Sequence, residues 1–163
     1  MQPAPIPTNE KERLCALQGL KLLDTATEER FDVITKKAIE KFAVPISTIT
    51  LVDKDREWFK SVQGLAQTEG PRDISFCGHA LMTEVLFVVE DTLVDPRFAD
   101  NPMVKGEPHI RFYVGKSLYD RKSHLPVGVF CIKDIKPRKF SLVDIADFLE
   151  LAEQAEAEIN KKA

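Results

Sequence analysis

Ile46-Ser47-Thr48-Ile49-Thr50-Leu51-Val52-Asp53 is a run of β-branched and apolar residues that is apolar on both faces. Such a run is typical of a central strand that is covered on both sides. Turn-forming residues 53–56 follow it, and residues then alternate from Trp58 to Gln63, which predicts a second strand paired with the first as a hairpin. We therefore expect an antiparallel sheet at the centre of the fold.

Helices are predicted on both sides of this hairpin. Leucines recur on one helical face over residues 10–22, after a possible capping box formed by Asn9 and Glu12. A long C-terminal helix is predicted after Ser141, with Asp144 completing its cap and an apolar stripe that runs to Ile159. The remaining predicted elements are a helix from Thr27 to before Pro45, a short helix from Ser75 to about Thr83, and strands at 86–90, 112–118 and 127–133.

Composition indicates one packed α/β domain. The 163 residues are 44% hydrophobic and 30% charged, and the net charge is -3 with basic and acidic residues interleaved. We therefore expect no nucleic-acid partner, and no apolar run approaches the roughly 20 residues of a membrane span, so no membrane partner is expected either. The start of the chain lacks signal-peptide features, which predicts a cytoplasmic protein. Residues 1–8, with three prolines, are expected to be a disordered lead to a single domain at 9–163 that includes the terminal helices.

Three segments carry a resemblance to a known family: Ile74-Ser75-Phe76-Cys77-Gly78-His79-Ala80, Asp95-Pro96-Arg97-Phe98-Ala99-Asp100-Asn101-Pro102 and Ile110-Arg111-Phe112-Tyr113-Val114-Gly115. With Leu51-Val52-Asp53, Trp58-Phe59-Lys60-Ser61 and Gly128-Val129-Phe130-Cys131-Ile132-Lys133-Asp134, they resemble the GAF domains that act as sensory inputs of signalling proteins. The resemblance implies a GAF/PAS-like central antiparallel sheet of about five or six strands. It also implies terminal helices on one face and pocket-forming loops and short helices on the other. It names no ligand or cofactor.

Candidate ligand-binding residues lie in or beside the pocket-forming segment, residues 65–110. Arg97, Arg111 and Lys105 can hold a phosphate or carboxylate, or they can pin the loop through salt bridges to its acidic residues. Residues 91–110 are long and contain three prolines, so we expect them to close over a ligand. The ligand-binding candidates are Phe76, Cys77, His79, Asp91, Asp95, Arg97, Phe98, His109, Arg111 and Tyr113.

Cys77 is the candidate reactive thiol, because it starts a short helix whose dipole can lower a thiol pKa. The alternative is an inert, buried cysteine. A metal site built from Cys77, His79 and His109 with Asp91 or Asp95 is a weaker possibility.

The main hypothesis is a non-catalytic sensory or regulatory module that binds an unknown small molecule and signals by association with a separate output protein. One alternative is a thiol-dependent reductase of the free methionine sulfoxide reductase type, with Cys77 as nucleophile and Cys131 or Cys15 as resolving thiol. The cysteine pattern of those enzymes is not matched. The other alternative is a ligand-free dimerisation module. The apolar stripe from Leu142 to Ile159 extends past the domain body, which predicts a homodimer through the terminal helices.

Overall fold

A six-stranded antiparallel sheet divides the molecule into two layers in this computed structural model, which describes residues 1–161. Its strand order is β3-β2-β1-β6-β5-β4, so the predicted strand β1 lies near the centre and pairs with both β2 and β6. The α+β fold class and the antiparallel sheet are confirmed. The strands are β1 (Ile46–Val52), β2 (Arg56–Gln63), β3 (Glu69–Pro71), β4 (Phe87–Val89), β5 (Phe112–Asp120) and β6 (Leu125–Asp134).

Five α-helices surround the sheet, and the two long ones cover one face. Ile49 and Leu51 of β1 point toward this face, where Phe31 and Phe148 pack in the same core cluster. The shorter α3 lies on the opposite face, which gives the two-layer arrangement expected from the sequence. The helices are α1 (Glu10–Gly19), α2 (Glu29–Phe42), α3 (Phe76–Ala80), α4 (Pro102–Lys105) and α5 (Leu142–Ile159). Among residues 1–161, no helix is both long enough and apolar enough to span a membrane.

The first helix begins at Glu10 as predicted, but its predicted cap and the predicted start of α2 differ from what is observed. Within residues 1–161, the Asn9 side chain makes no capping hydrogen bond to α1, and α2 begins after Glu28 rather than Thr27. Strand β3 was not expected, because its three residues lie in a polar stretch and pair only at the edge of β2. Short elements that depend on a neighbouring strand leave little local signal.

The capping box of α5 is confirmed. The Ser141 hydroxyl accepts a hydrogen bond from the Asp144 amide at 3.1 Å, and the Asp144 carboxylate accepts one from the Ser141 amide at 2.9 Å. We expect Ser141→Ala to lower the free energy of unfolding by about 1 kcal/mol, because the start of α5 loses an acceptor. Urea denaturation measures this effect. Thr27→Ala is the control, since Thr27 is exposed and precedes the helix cap, and its change should stay within about 0.5 kcal/mol.

The C-terminal part of the apolar stripe of α5 is covered inside the chain. Ala155 and Ile159 are buried in the core that α5 shares with α2 and the sheet, whereas Leu142 at the start of the stripe is exposed. The expectation that the stripe beyond Leu151 needs a second copy to cover it was therefore wrong. The homodimer itself stays a prediction.

The proline-rich lead is extended and lies against the domain. The Gln2 amide donates to the Arg97 carbonyl at 3.1 Å, and the Ala4 amide donates to the Asp73 carbonyl at 2.9 Å. Ala4 is buried against α3, where a Cβ on Gly78 would stand 2.6 Å from the Ala4 methyl group. The lead differs from the expected disordered segment because its backbone amides find acceptors on the loops around α3.

Candidate functional site

An aromatic group fills the space between α3 and the sheet. Phe76 of α3 stacks on Phe98 with ring centroids 4.3 Å apart and on Tyr113 of β5 at 5.1 Å. His79 meets the edge of Phe98 at 4.8 Å. Phe76, Phe98 and Tyr113 are fully buried, so these three ligand-binding candidates come together as expected.

A polar cluster lies on the same face of the sheet, beside the aromatic group. Strand alternation places its members there, because their neighbours in β1, β5 and β6 point into the opposite core. Burial of so many polar groups is unusual for a domain interior, where polar side chains are mostly exposed. The polar cluster consists of Thr48, Thr50, Glu57, Cys77, Tyr113, Cys131 and Lys133.

A chain of hydrogen bonds connects most of this cluster. The Tyr113 hydroxyl donates to the Cys77 sulfur at 3.2 Å, and the Cys77 thiol donates to the Thr50 hydroxyl at 3.7 Å. The Thr50 and Thr48 hydroxyls lie 2.7 Å apart, and Thr48 contacts the Cys131 sulfur at 3.0 Å. The chain therefore links β5, α3, β1 and β6 through side chains alone.

Gly115 makes room for this network. It pairs with Cys131 across the β5–β6 ladder, and a Cβ at Gly115 would overlap the Tyr113 hydroxyl. The absence of a side chain at this position lets the phenol fold back over its own strand and reach Cys77.

Glu57 carries an unsatisfied buried oxygen. Its side chain is 2% exposed, and Oε1 has no hydrogen-bond partner among residues 1–161. Burial raises the pKa of Glu57 to about 8, although the positive charge of Lys133 acts in the opposite direction. Glu57 is therefore a neutral acid at neutral pH, able to donate a proton to a hydrogen bond.

The two buried thiols differ in acidity. Burial raises the pKa of Cys77 well above its usual value, and the neighbouring Cys131 adds to this effect. Of the two interpretations of Cys77, this favours the inert, buried cysteine, because burial outweighs any dipole of a five-residue helix. Burial also raises the pKa of Cys131, but the influence of Cys77 and the charge of Lys133 reverse this and lower it to about 7.

Lys133 supplies the positive charge of the polar cluster. Its side chain is almost completely buried, and Nζ lies 5.9 Å from the centre of the Tyr113 ring. Burial acts to lower the pKa of Lys133, but the facing groups of Cys131, Glu57 and Cys77 outweigh it and raise that pKa. The lysine is therefore a cation in the interior of the domain.

An open groove of about 680 Å³ holds three further candidates. Asp91, Asp95 and Arg97 line it, and Arg97 donates to Asp95 at 2.6 Å while its guanidinium lies 4.9 Å from the centre of the Phe87 ring. The hydrogen bond from Arg97 lowers the pKa of Asp95. Arg111 donates to Asp91 at 3.1 Å beside the groove. The arrangement matches the salt-bridge alternative, in which arginines pin the loop.

The two remaining candidates are histidines, of which His79 contacts the aromatic group through the edge of Phe98. The His79 ring nitrogen Nε2 is 3.0 Å from the Gln2 carbonyl, and burial lowers its pKa. His109 is exposed near Glu107. Across the described chain, no three His, Cys, Asp or Glu side chains are arranged to hold a metal ion, so the metal site considered from the sequence is not assembled.

Sequence reasoning missed the charged members of the polar cluster. Glu57 comes just before the alternating run Trp58–Gln63, opposite Val52, and Lys133 is the next-to-last residue of the segment Gly128–Asp134. The available signal was the charge of Lys133 directly after the apolar residues 129–132. Its meaning depended on knowing which residues face it across the sheet.

We compared the sequence and the fold with those of known proteins. No protein-family model matches the sequence. A cyclic di-GMP phosphodiesterase of Pseudomonas aeruginosa is 39% identical over 138 residues, which cover 85% of this chain but only 23% of that protein. The chain thus spans about a quarter of the length of this curated relative.

Solved structures share the fold at lower sequence identity. The GAF domain of a Coxiella burnetii phosphoenolpyruvate-protein phosphotransferase has a TM-score of 0.66 at 15% identity and covers 93% of this chain and 95% of that one. The substrate complex of free methionine-R-sulfoxide reductase from Neisseria meningitidis has a TM-score of 0.64 at 21% identity, covering 92% and 89%. The corresponding domain from Acinetobacter has a TM-score of 0.63 at 16% identity, covering 91% and 92%. The chain has the fold of a GAF domain.

Proposed function

We propose that this chain is a sensory and regulatory GAF module that binds a small polar molecule at the polar cluster and catalyses no reaction itself. The observation that carries the proposal is the buried Glu57 Oε1, which has no hydrogen-bond partner among residues 1–161, in a cluster that also holds the buried Lys133. Leaving a buried polar group unsatisfied costs about 1–3 kcal/mol, so a ligand that supplies the missing hydrogen bond gains affinity there. Cys77 and Tyr113 belong to the same polar cluster, where the Tyr113 hydroxyl donates to the Cys77 sulfur at 3.2 Å.

The place of the cluster suits a sensor. Its members come from four different strands and from α3, so a ligand that contacts them would bias the position of α3 relative to the sheet. Such a bias is the physical requirement for regulation, because a ligand shifts an equilibrium only through contacts that differ between two states. Closure of residues 91–110 around the ligand remains part of the proposal, since Phe98 and Val104 of that segment already pack inward.

The relative from Pseudomonas aeruginosa suggests which process the module would regulate. Because this chain matches about a quarter of a cyclic di-GMP phosphodiesterase, the signal would control cyclic di-GMP turnover by a separate output protein. A homodimer of the module is also part of the proposal, and sedimentation at high micromolar concentration tests it. Cyclic di-GMP concentration in cells with and without the chain tests the output.

Native mass spectrometry of the purified protein tests the ligand site. We expect a retained small molecule that is released on denaturation, and Glu57→Leu should lower its affinity about 10-fold, because the variant loses a hydrogen bond worth about 1.4 kcal/mol. Glu40→Leu is the matched control, because Glu40 is exposed on α2 across the sheet. Equal retention in Glu57→Leu and the control would place the site elsewhere.

The ligand-free module is a second candidate, and the aromatic group favours it. Phe76, Phe98 and Tyr113 occupy the space where the family resemblance implied a pocket. No retained molecule, together with dimerisation that a broad set of metabolites leaves unchanged, would support this candidate. Turnover of free methionine sulfoxide with a thiol reductant would instead support the reductase alternative.

A further inference from the structure

The segment before α1 lies across α3 as a strap, which we define as residues 2–7. The Gln2 carbonyl accepts a hydrogen bond from Nε2 of His79 on α3 at 3.0 Å. The Gln2 amide donates to the Arg97 carbonyl at 3.1 Å. One residue of the strap thus joins α3 to residues 91–110, and each of these two segments contributes a ring to the aromatic group.

A close fit at Ala4 seats the strap on the helix. Ala4 is buried, whereas Pro3 and Pro5 on either side of it are exposed. The Ala4 amide donates to the Asp73 carbonyl at 2.9 Å, and a Cβ at Gly78 of α3 would lie 2.6 Å from the Ala4 methyl group. Because this methyl group lies so close to the backbone of α3, a larger side chain at position 4 would push the strap away from the helix.

The other end of the strap is anchored by ion pairs. Glu10, at the start of α1, accepts hydrogen bonds from Arg13 at 2.6 Å and from Arg72 at 2.7 Å, and both arginines are buried. Burial acts to raise the pKa of Glu10, but the hydrogen bonds from Arg72 and Arg13 outweigh it and lower that pKa to about 2. Breaking a buried ion pair costs more than breaking neutral hydrogen bonds. Release therefore begins in the strap, while α1 stays in place.

The composition of the strap suits release and return. Pro3, Pro5 and Pro7 restrict the backbone of the released segment, so that docking loses less conformational entropy. Neutral backbone hydrogen bonds and one small buried side chain hold residues 2–4 on the domain. Each neutral hydrogen bond contributes little net stability in water. The docked and released states therefore differ by a small free energy.

We infer that the strap is a gate, which in its docked state holds α3 closed over the polar cluster and in its released state lets α3 move away from the sheet. The thiol of Cys77 on α3 donates to the Thr50 hydroxyl, so movement of the helix would open the polar cluster to solvent. Segments held by few contacts open locally while the rest of a domain stays folded. This gate goes beyond the proposed function, because it concerns the motion of α3 and operates whether or not the polar cluster binds a ligand.

Thiol labelling of the native, full-length protein tests the gate. Cys77 is fully buried and reports the opening of α3, whereas Cys15 is exposed and serves as the internal reference. Ala4→Leu should raise the rate at which N-ethylmaleimide labels Cys77 about 10-fold, because the strap can no longer dock, and Cys15 should keep its wild-type rate. Gln2→Leu is the matched control, since the Gln2 side chain is exposed and the hydrogen bonds described above use its backbone.

Amide exchange distinguishes opening of α3 from a general loss of stability. In Ala4→Leu, the amides of α3 should exchange about 10-fold faster, while those of β1 and β6 keep their wild-type rates. Unchanged labelling of Cys77 in this variant, or equally faster exchange in β1 and β6, would overturn the inference.

The wild-type protein provides a test that needs no substitution. After correction for intrinsic exchange rates, the Gly78 amide should exchange no faster than the Ala4 amide, because α3 opens only once the strap is released. Faster exchange at Gly78 than at Ala4 would show that the helix opens under a docked strap, which is incompatible with a gate. This comparison decides the matter even if Ala4→Leu folds poorly.

Discussion

Phe76→Ala is expected to lower the free energy of unfolding by about 3–5 kcal/mol. The ring is fully buried and lies between Phe98, at 4.3 Å, and Tyr113, at 5.1 Å, so its removal loses two aromatic contacts. Truncation also leaves a cavity, because a strand and a loop on either side cannot both move in to fill it.

Urea unfolding measures this effect, with Val94→Ala as the control. Val94 is 79% exposed, so its truncation should change the free energy of unfolding by no more than about 0.5 kcal/mol. A loss below about 1 kcal/mol for Phe76→Ala would mean that the interior under α3 repacks readily. Such plasticity would itself favour a pocket that opens for a ligand, whereas the larger loss indicates a rigid aromatic layer.

Periodicity was enough to predict the sheet and most of the helices. The run Ile46–Val52 became the central strand because its side chains are buried on both faces, as a run without polar alternation requires. The start of α5 was predicted by its own cap, which is a local interaction. Strand β3 was missed because Glu69–Pro71 has no strand-forming side chains and becomes a strand only through pairing with β2.

The candidate site was only partly predictable. Phe76, Cys77, Phe98 and Tyr113 were found through the family resemblance, and they do meet under α3. The sequence left Cys77 either reactive or inert, because it shows a helix start near Cys77 but not the burial of that thiol. The low pKa of Cys131 depends on Lys133 and on contacts across the sheet.

Stability should fall as the pH rises from about 5 to about 7, owing to Glu57. Burial raises the pKa of this carboxyl to about 8 in the folded protein, above the ordinary value of 4.5 in the unfolded chain. Between these values the folded state holds a proton that the unfolded state has released, so the stabilisation present below pH 4.5 is lost as the pH rises through 8. The slope from one such group approaches about 1.4 kcal/mol per pH unit.

Other titrating groups in the cluster determine the pH range in which the effect of Glu57 on stability can be measured separately. Lys133 opposes the raised pKa, whereas Cys77 adds to it, and both effects belong to the folded state. The pKa of Cys131 is lowered to about 7 from an ordinary value of 9, so its ionisation stabilises the folded state as the pH rises from 7 to 9. The two contributions have opposite signs above pH 7, and the effect of Glu57 therefore dominates below it.

Urea unfolding of wild-type protein and Glu57→Gln at pH 5, 6 and 7 tests this reasoning. Glutamine resembles the protonated acid, so the two proteins should be similar in stability at pH 5, and the variant should be more stable by up to about 3 kcal/mol at pH 7. Glu40→Gln should keep the wild-type slope, because Glu40 is exposed. If the free energy of unfolding depends on pH equally in the wild type and Glu57→Gln, Glu57 ionises with an ordinary pKa and the reasoning is wrong. A ligand retained at Glu57 would shift the wild-type curve, so the comparison is made on protein refolded without small molecules.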